Sequence, residues 1–314
     1  SISLQGETIM SESNETFRMG WLPDYPSLRD YKADDDVVAP KLKALGQKES
    51  IKGLLAKANA AAIPATLATT ADLRAWCSPI ENQGALGSCT ANAGVGLVEY
   101  YERRAFGKHI DASRLFLYKT TRNLLKWTGD TGAFLRTTME SMVLFGVPPE
   151  DYWPYTTAAP AFDQEPSAFC YAFAQNFQAI NYYRLDPPGT TRAALLSRIK
   201  TNLAAGLPSM FGFTVYQSYN QAGTTGKLPY PTPGEKIVGG HAIVAVGYDD
   251  AMKIKNANAG AGETTGALLI RNSWGTGWGA GGYGWLPYAY VLNGLAVDWW
   301  SLIKQDWIDT GKFG

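Results

Sequence analysis

The feature that most constrains the fold is a change of hydrophobic rhythm at Pro208. Before it, apolar residues recur at helical spacing. Val95, Leu97, Val98 and Tyr101 give the buried face of a helix that starts near Ser88 and stops before Gly107. Leu135, Met139, Met142 and Val143 predict another between Ala133 and Phe145, closed by Gly146-Val147-Pro148. "TTRAALLSRIKTNLAAG" predicts a third, from about Thr191 to Ala205. After Pro208 the runs "SMFGFTVY", "HAIVAVGYD", "ALLIRNSW" and "GYGWLPYAYV" are short, β-branched or aromatic, and separated by glycines, which predicts strands. Helices first and strands second make an α+β chain of two lobes, with no internal repeat. "KNANAGAGETTGA", Lys255 to Ala267, reads as a loop between two strands.

Upstream, residues 1 to about 20 read as a polar tail, and "GWLPDYPSLRDY" as an extended stretch pinned by Trp21, Tyr25 and Tyr31. Helical spacing returns between Asp34 and Ala62, and "AAIPATLATTADLR" reads as a linker. The start lacks a signal-peptide pattern, although a first residue of Ser1 leaves room for a missing leader. The 28 basic residues balance 28 acidic ones, which argues against a nucleic-acid surface. No apolar run approaches the about 18 residues of a membrane span. Cys77, Cys89 and Cys170 have no metal-ligand spacing, so no metal or organic cofactor is expected. Cys77 and Cys170 read as small buried hydrophobes, with a bridge between them as the lesser alternative.

Cys89 is different. In "ENQGALGSCTANAG" a glycine-rich turn delivers it to the start of a helix, where oriented N–H groups favour thiolate over thiol. An attacked carbonyl would need donors for its oxyanion, and the Cys89 N–H and the Gln83 side-chain amide are candidates. Of two histidines, His109 lies past the far end of that helix, ~27 Å away at 1.5 Å per residue. His241 instead opens the apolar strand "HAIVAVGYDD", where a fixed general base can sit. Asn272 follows another apolar strand, so that its amide oxygen can fix the imidazole tautomer, and Trp274 can shield that bond from water.

These stretches together resemble the papain-like cysteine peptidases. Gln83, "GSC", "GGHAIVAVGYD" and "NSWGTGWGAGGYG" occur in that family's chain order, with 241 − 89 = 152 residues from Cys to His and 272 − 241 = 31 from His to Asn. "DLRAWCSPIENQG" resembles the family's mature N-terminus and "GVPPEDYWPY" the end of its helical lobe, so the likeness covers about Ala71 to Ile303. The resemblance implies a papain-like two-lobed fold: a helical lobe and an antiparallel, barrel-like β lobe, with the active-site cleft between them. Residues 1–65 would be an N-terminal extension, 66–180 the lobe carrying the nucleophile, and 181–314 the lobe carrying His and Asn. Cys89 would be the nucleophile, His241 the general base and acid, Asn272 its orienting partner, and Gln83 part of the oxyanion hole. Gly132, Gly239, Gly240 and Trp274 would line the substrate side, Trp274 also covering the His–Asn pair.

Two departures stand out. Leu86 replaces a disulfide cysteine and Thr90 the aromatic beside the nucleophile, which points to a divergent, prokaryotic branch. The expected activity is peptide-bond hydrolysis of peptide or protein substrates. Acyl or peptidyl transfer from the same site and an idle binding scaffold are the alternatives. "GWLPDYPSLRDY" would lie along the cleft and restrict access, as a possible inhibitor; packing as a brace elsewhere is the competing expectation. The floor of the side-chain pocket is expected around Asn293 to Leu295. A secreted or periplasmic location is favoured over a cytoplasmic one.

Overall fold

The computed structural model describes residues 9–10, 16–178 and 181–314. Most of the expected polar tail, residues 1–8 and 11–15, therefore lies outside the described residues. A short antiparallel pair, β1 (Ile9–Met10) with β2 (Thr16–Phe17), leads into the extended stretch. Two short helices follow, α1 (Pro40–Ala44) and α2 (Ile51–Lys57). Then come α3 (Cys89–Phe106), α4 (Arg114–Leu124), α5 (Leu135–Leu144) and α6 (Ala168–Ala174). The expected linker contains a strand, β3 (Thr70–Asp72).

The later part is a seven-stranded antiparallel sheet. Its strands are β3, β4 (Asn181–Arg184), β5 (Ser209–Tyr216), β6 (Ile237–Lys255), β7 (Glu263–Arg271), β8 (Tyr283–Pro287) and β9 (Ala296–Ile303). They run in the order β4-β9-β5-β6-β7-β8, with β3 paired to β6. Helices α7 (Arg192–Ala204), α8 (Tyr288–Leu292) and α9 (Gln305–Ile308) complete an α+β architecture. The run "GYGWLPYAYV" is thus part strand and part helix. The loop expected over 255–267 is shorter, because β6 extends to Lys255 and β7 begins at Glu263.

Helix α3 organises this arrangement. Every residue from Cys89 to Tyr101 is buried, so the helix packs on all sides rather than along one stripe. Small residues make that possible. A Cβ on Gly94 would stand 3.0 Å from a methyl of Leu117 on α4, and one on Gly96 3.1 Å from Nε of Arg271 on β7. Gly107 ends the helix at φ 66°, the left-handed cap that glycine adopts without strain. Helices α2, α4 and α7 open on Ser50, Ser113 and Thr191, whose hydroxyls accept from the backbone N–H three residues on.

Arg271 crosses from the sheet to the segment ahead of α3. It donates to both Ser78 and Pro79 carbonyls and, at 3.0 Å, to the Ser78 hydroxyl, which in turn donates to Glu99 of α3. Leu42, Ile51, Leu54 and Leu55 belong to the main core, where α2 lies against α9. The helical part of the N-terminal extension is therefore a brace, although the stretch before it is not. Replacing Arg271 by Met orphans the buried Ser78 carbonyl, removes the donor to Pro79 and deprives Glu99 of its nearby cation. Chemical denaturation should show a loss of about 3–5 kcal/mol.

Candidate active site

Cys89 opens α3 and is fully buried. His241, in β6, is fully buried too, and its Nε2 lies 2.8 Å from Oδ1 of Asn272, just past β7. The same Asn272 oxygen accepts from the Ser273 N–H at 2.8 Å, which sets the amide's orientation. Trp274 stacks on His241, with ring centroids 4.5 Å apart and planes 18° from parallel. Trp278 and Tyr219 brace Trp274 edge-on. Trp274, grouped above with the substrate side, is 1% exposed and covers one face of His241. Nδ1 of His241 has no hydrogen-bond partner among the described residues, and the N–H of the next residue, Ala242, is directed at the Cys89 sulfur. His109 is exposed beyond the opposite end of α3.

Gln83 is locked in place. Its Oε1 accepts from Ser273 Oγ at 2.6 Å, its backbone N–H donates to the Ser273 carbonyl, and its Nε2 donates to Leu86 O at 2.9 Å. The second donor direction of Nε2 is taken by the carbonyl of Arg18, at 2.6 Å. A segment far upstream in sequence thus sits on the group expected to hold an oxyanion.

That segment is a strap through the cleft. Ala133 N donates to Gly20 O at 2.9 Å and Leu22 N to Ala133 O at 3.1 Å, while Trp21 N donates to Gly240 O at 3.2 Å. The Gly20 N–H is directed at the Cys89 sulfur. Glycines on both sides allow this approach. A Cβ on Gly20 would stand 1.9 Å from Gly87 O, one on Gly132 2.4 Å from Gly20 O, and one on Gly239 2.7 Å from Sδ of Met19. Gly132, at φ 73°, therefore gives room, and its neighbour Ala133 makes the backbone rungs to the strap. Arg18 pairs with Asp130 at 3.0 Å, and Asp130 also accepts from Gly87 N and the Tyr118 hydroxyl. Further along, Arg136 of α5 pairs with Asp24 and, at 2.7 Å, with Asp30.

The Trp21 indole reaches β9 three residues past the Asn293 to Leu295 stretch expected at the pocket floor. The Trp21 indole N–H donates to Oδ2 of Asp298, on β9, at 3.1 Å, and the ring lies against Gly212 and Gly240. Sequence reasoning missed both Gly212 and Asp298. A glycine inside the apolar run "SMFGFTVY" and an acid inside "LAVDWW" were the available signals.

Cys77 and Cys170 are buried free thiols. The carboxylates of Glu81, Asp111 and Glu150 come within 4.8 Å of one another. Arg114 already supplies a cation there, at 2.6 Å from Glu81 and 2.9 Å from Glu150.

Residues 67–291, well over half of the chain, match the family model described as papain family cysteine protease. The chain belongs to the papain family of cysteine proteases. An uncharacterized peptidase C1-like protein of Acanthamoeba polyphaga mimivirus is 33% identical over 227 residues, covering 70% of this chain and 68% of that protein. Cathepsin K of Gallus gallus is 28% identical over 217 residues; the match spans 67% of this chain and 55% of the cathepsin. Among solved structures, xylellain, a cysteine protease from Xylella fastidiosa, superposes with a TM-score of 0.68 at 29% identity, covering 90% of this chain and 95% of that one. Procathepsin L 3 of Tenebrio molitor shares the fold, with a TM-score of 0.57 at 18% identity.

In this papain-family site, burial holds both reacting groups neutral. It pushes the Cys89 thiol up to about 11, against the opposing pull of the Ala242, Gly20 and Thr90 N–H groups. It also pushes the His241 imidazole down to about 4, with the Asn272 hydrogen bond opposing. Since only thiolate alkylates, iodoacetamide should label Cys89 of the intact chain slowly at pH 7. The rate should climb ~tenfold per pH unit toward pH 11, without the plateau near 8.5 of a free thiol. Peptide mapping after timed labelling checks this.

Proposed function

We propose that this chain hydrolyses peptide bonds through an acyl-enzyme on Cys89, and that its own residues 18–22 hold the site closed until they are displaced. One observation carries the reading. Asn272 and Trp274 hold the His241 ring by one nitrogen and one face, while the unpartnered Nδ1 belongs to the residue next to Ala242, whose N–H meets the Cys89 sulfur.

With the strap in place, thiol and imidazole are both uncharged at neutral pH. Admitting water and substrate removes the burial that opposes charge, so the proton moves from Sγ to His241. The thiolate then attacks the carbonyl carbon, and the C=O electrons shift to oxygen, where the Gln83 amide vacated by Arg18 donates a hydrogen bond. As the C–N bond breaks, His241 gives its proton to the leaving amine and a thioester remains. Water, deprotonated by His241, attacks the thioester; the C–S bond breaks, releasing the acid and restoring the thiolate. Asn272 keeps the imidazole aimed throughout. Peptides and proteins are the substrates, and the strap is the intramolecular inhibitor.

No helix among the described residues is long and apolar enough to cross a membrane. A site covered by the chain's own strap suits a protease exported to the periplasm or medium before use.

Gly20→Val tests the closure directly, since any Cβ there meets the Gly87 carbonyl. In the full-length chain it should speed Cys89 alkylation at pH 7 by at least ~tenfold, the equivalent of about 1.4 kcal/mol of strap binding, and bring fluorogenic peptide turnover with it. Adding Cys89→Ala should abolish that turnover, and His241→Ala should remove the low-pH alkylation. Unchanged alkylation in Gly20→Val would refute the inhibitory strap. Fast alkylation without turnover of any peptide would refute the peptidase. Transfer is read by adding a nucleophilic amine: aminolysis overtaking hydrolysis at millimolar amine would favour that alternative.

A further inference from the structure

Ser50, Ser113, Ser167 and Thr191 each stand ahead of a helix with the hydroxyl accepting from a first-turn N–H. Helix α3 also opens on a serine, Ser88, yet that hydroxyl caps nothing. It is fully buried and lies 2.6 Å from the hydroxyl of Tyr155 instead. Tyr155 ends the run "GVPPEDYWPY", a stretch to which the steps above give no task.

The direction of each hydrogen bond here follows from what each group can give. The Tyr155 hydroxyl has one hydrogen and donates it to the Gln83 carbonyl at 2.8 Å. Ser88 Oγ therefore donates to Tyr155, and itself accepts from Asn92 Nδ2 at 3.1 Å. The same Asn92 amide donates to the Ser88 carbonyl at 3.0 Å. One directed chain thus runs from Asn92 through Ser88 and Tyr155 to Gln83, bridging the two ends of the loop that leads into Cys89. Burial pushes the Tyr155 hydroxyl up to about 12, so it keeps its hydrogen at neutral and acidic pH. Arg114 steadies the ring: its guanidinium carbon lies 4.0 Å from the ring centroid, while Nη1 donates to the Asn82 carbonyl at 3.3 Å.

We propose that Tyr155 is a positioning residue for oxyanion stabilisation: its single hydroxyl ties Gln83 to Ser88 and so sets the Gln83 amide and the Cys89 N–H in register. The proposal rests on the peptidase reading and adds to that site a residue that acts only through others. The Gln83 side chain and N–H are held by Ser273, which leaves its carbonyl to Tyr155 and, at a long 3.5 Å, to the Leu86 N–H. Gly84, at φ 56°, and Gly87 give the intervening loop little stiffness of its own. Turning Ser88 toward Tyr155 has a second effect. No hydroxyl caps the first turn of α3, and the Thr90 N–H stays directed at the Cys89 sulfur. Without the Tyr155 hydroxyl, the buried Gln83 carbonyl loses its strong donor and the buried Ser88 hydroxyl its acceptor.

The test places Tyr155→Phe, which keeps the ring under Arg114 and removes only the hydroxyl, in the full-length Gly20→Val chain. For a fluorogenic peptidyl amide, kcat should fall ~10–100-fold with KM held within ~twofold. A peptide aldehyde, whose adduct on Cys89 carries an oxyanion-like oxygen, should bind more weakly by a similar factor. Iodoacetamide builds no oxyanion, so its rate at Cys89 should stay within ~twofold of the parent. A second arm needs no turnover. In the otherwise unaltered chain, Tyr155→Phe should speed hydrogen exchange of the Gly84 to Ser88 amides ~tenfold, with α4 and α5 as protected as before. Unchanged kcat, or alkylation falling in step with kcat, would overturn the positioning role and leave the peptidase standing. Unchanged loop exchange would overturn it as well. No turnover of any peptide by the Gly20→Val chain would refute the peptidase instead. Weaker aldehyde binding with faster loop exchange would then still support Tyr155, and the absence of either change would overturn it.

Discussion

The structure depends on the close approach of α3 to β6 and β7. A helix buried on every side needs neighbours on every side, and glycine and alanine at 91, 93, 94 and 96 let them come within van der Waals contact. That approach places the helix start, with Cys89, beside the stretch of β6 that carries His241 and Ala242. It also brings Arg271 across α3 to hold the segment that delivers Gln83. A bulkier helix face would separate the two reacting groups without changing either of them.

The same closeness sets the chemical state of the site. A cysteine at a helix start reads as a candidate low-pKa thiol, yet burial under the strap raises it, and burial lowers the histidine as well. Desolvation outweighs the helix terminus here because the strap excludes water from both groups at once. The strap is held by backbone rungs to Ala133 and Gly240, by the Gln83 amide, and by one side chain seated on Asp298. The stretch that closes the cleft thus also fills the slot beside Gly212 and Gly240.

Legibility varied with the reach of the signal. Helices α3, α5 and α7 were visible within a residue or two, because their apolar periodicity and caps are local. Helix α4 escaped notice. Its buried face includes Arg114, Lys119 and Arg122, which are neutralised by Glu81, Glu150 and Asp163 from elsewhere in the chain, so its pattern reads as polar. Strand β3 passed for a linker because it is three residues of partly exposed edge, with its pairing supplied by β6. For "GWLPDYPSLRDY" the sequence leaves open a place in the cleft or a brace elsewhere; its Trp21 pairs with Gly240 in the cleft, while the later helical stretch with Leu54 and Leu55 packs in the main core.

The sequence by itself determined the α+β class and the family, and it supplied the candidate reactive groups, since these rest on residue identity, spacing and order along the chain. Gln83, Cys89, His241 and Asn272 could be named without knowing any distance. Tertiary structure decided what surrounds them: that Arg18 occupies the Gln83 amide, that Ala133 makes the rungs to the strap, and that the Trp21 indole donates to Asp298. Those outcomes depend on strand register and on contacts between segments 65 to 277 residues apart. A one-residue change of register exchanges the faces of a strand, and nothing local in the sequence reports which register the packed sheet adopts.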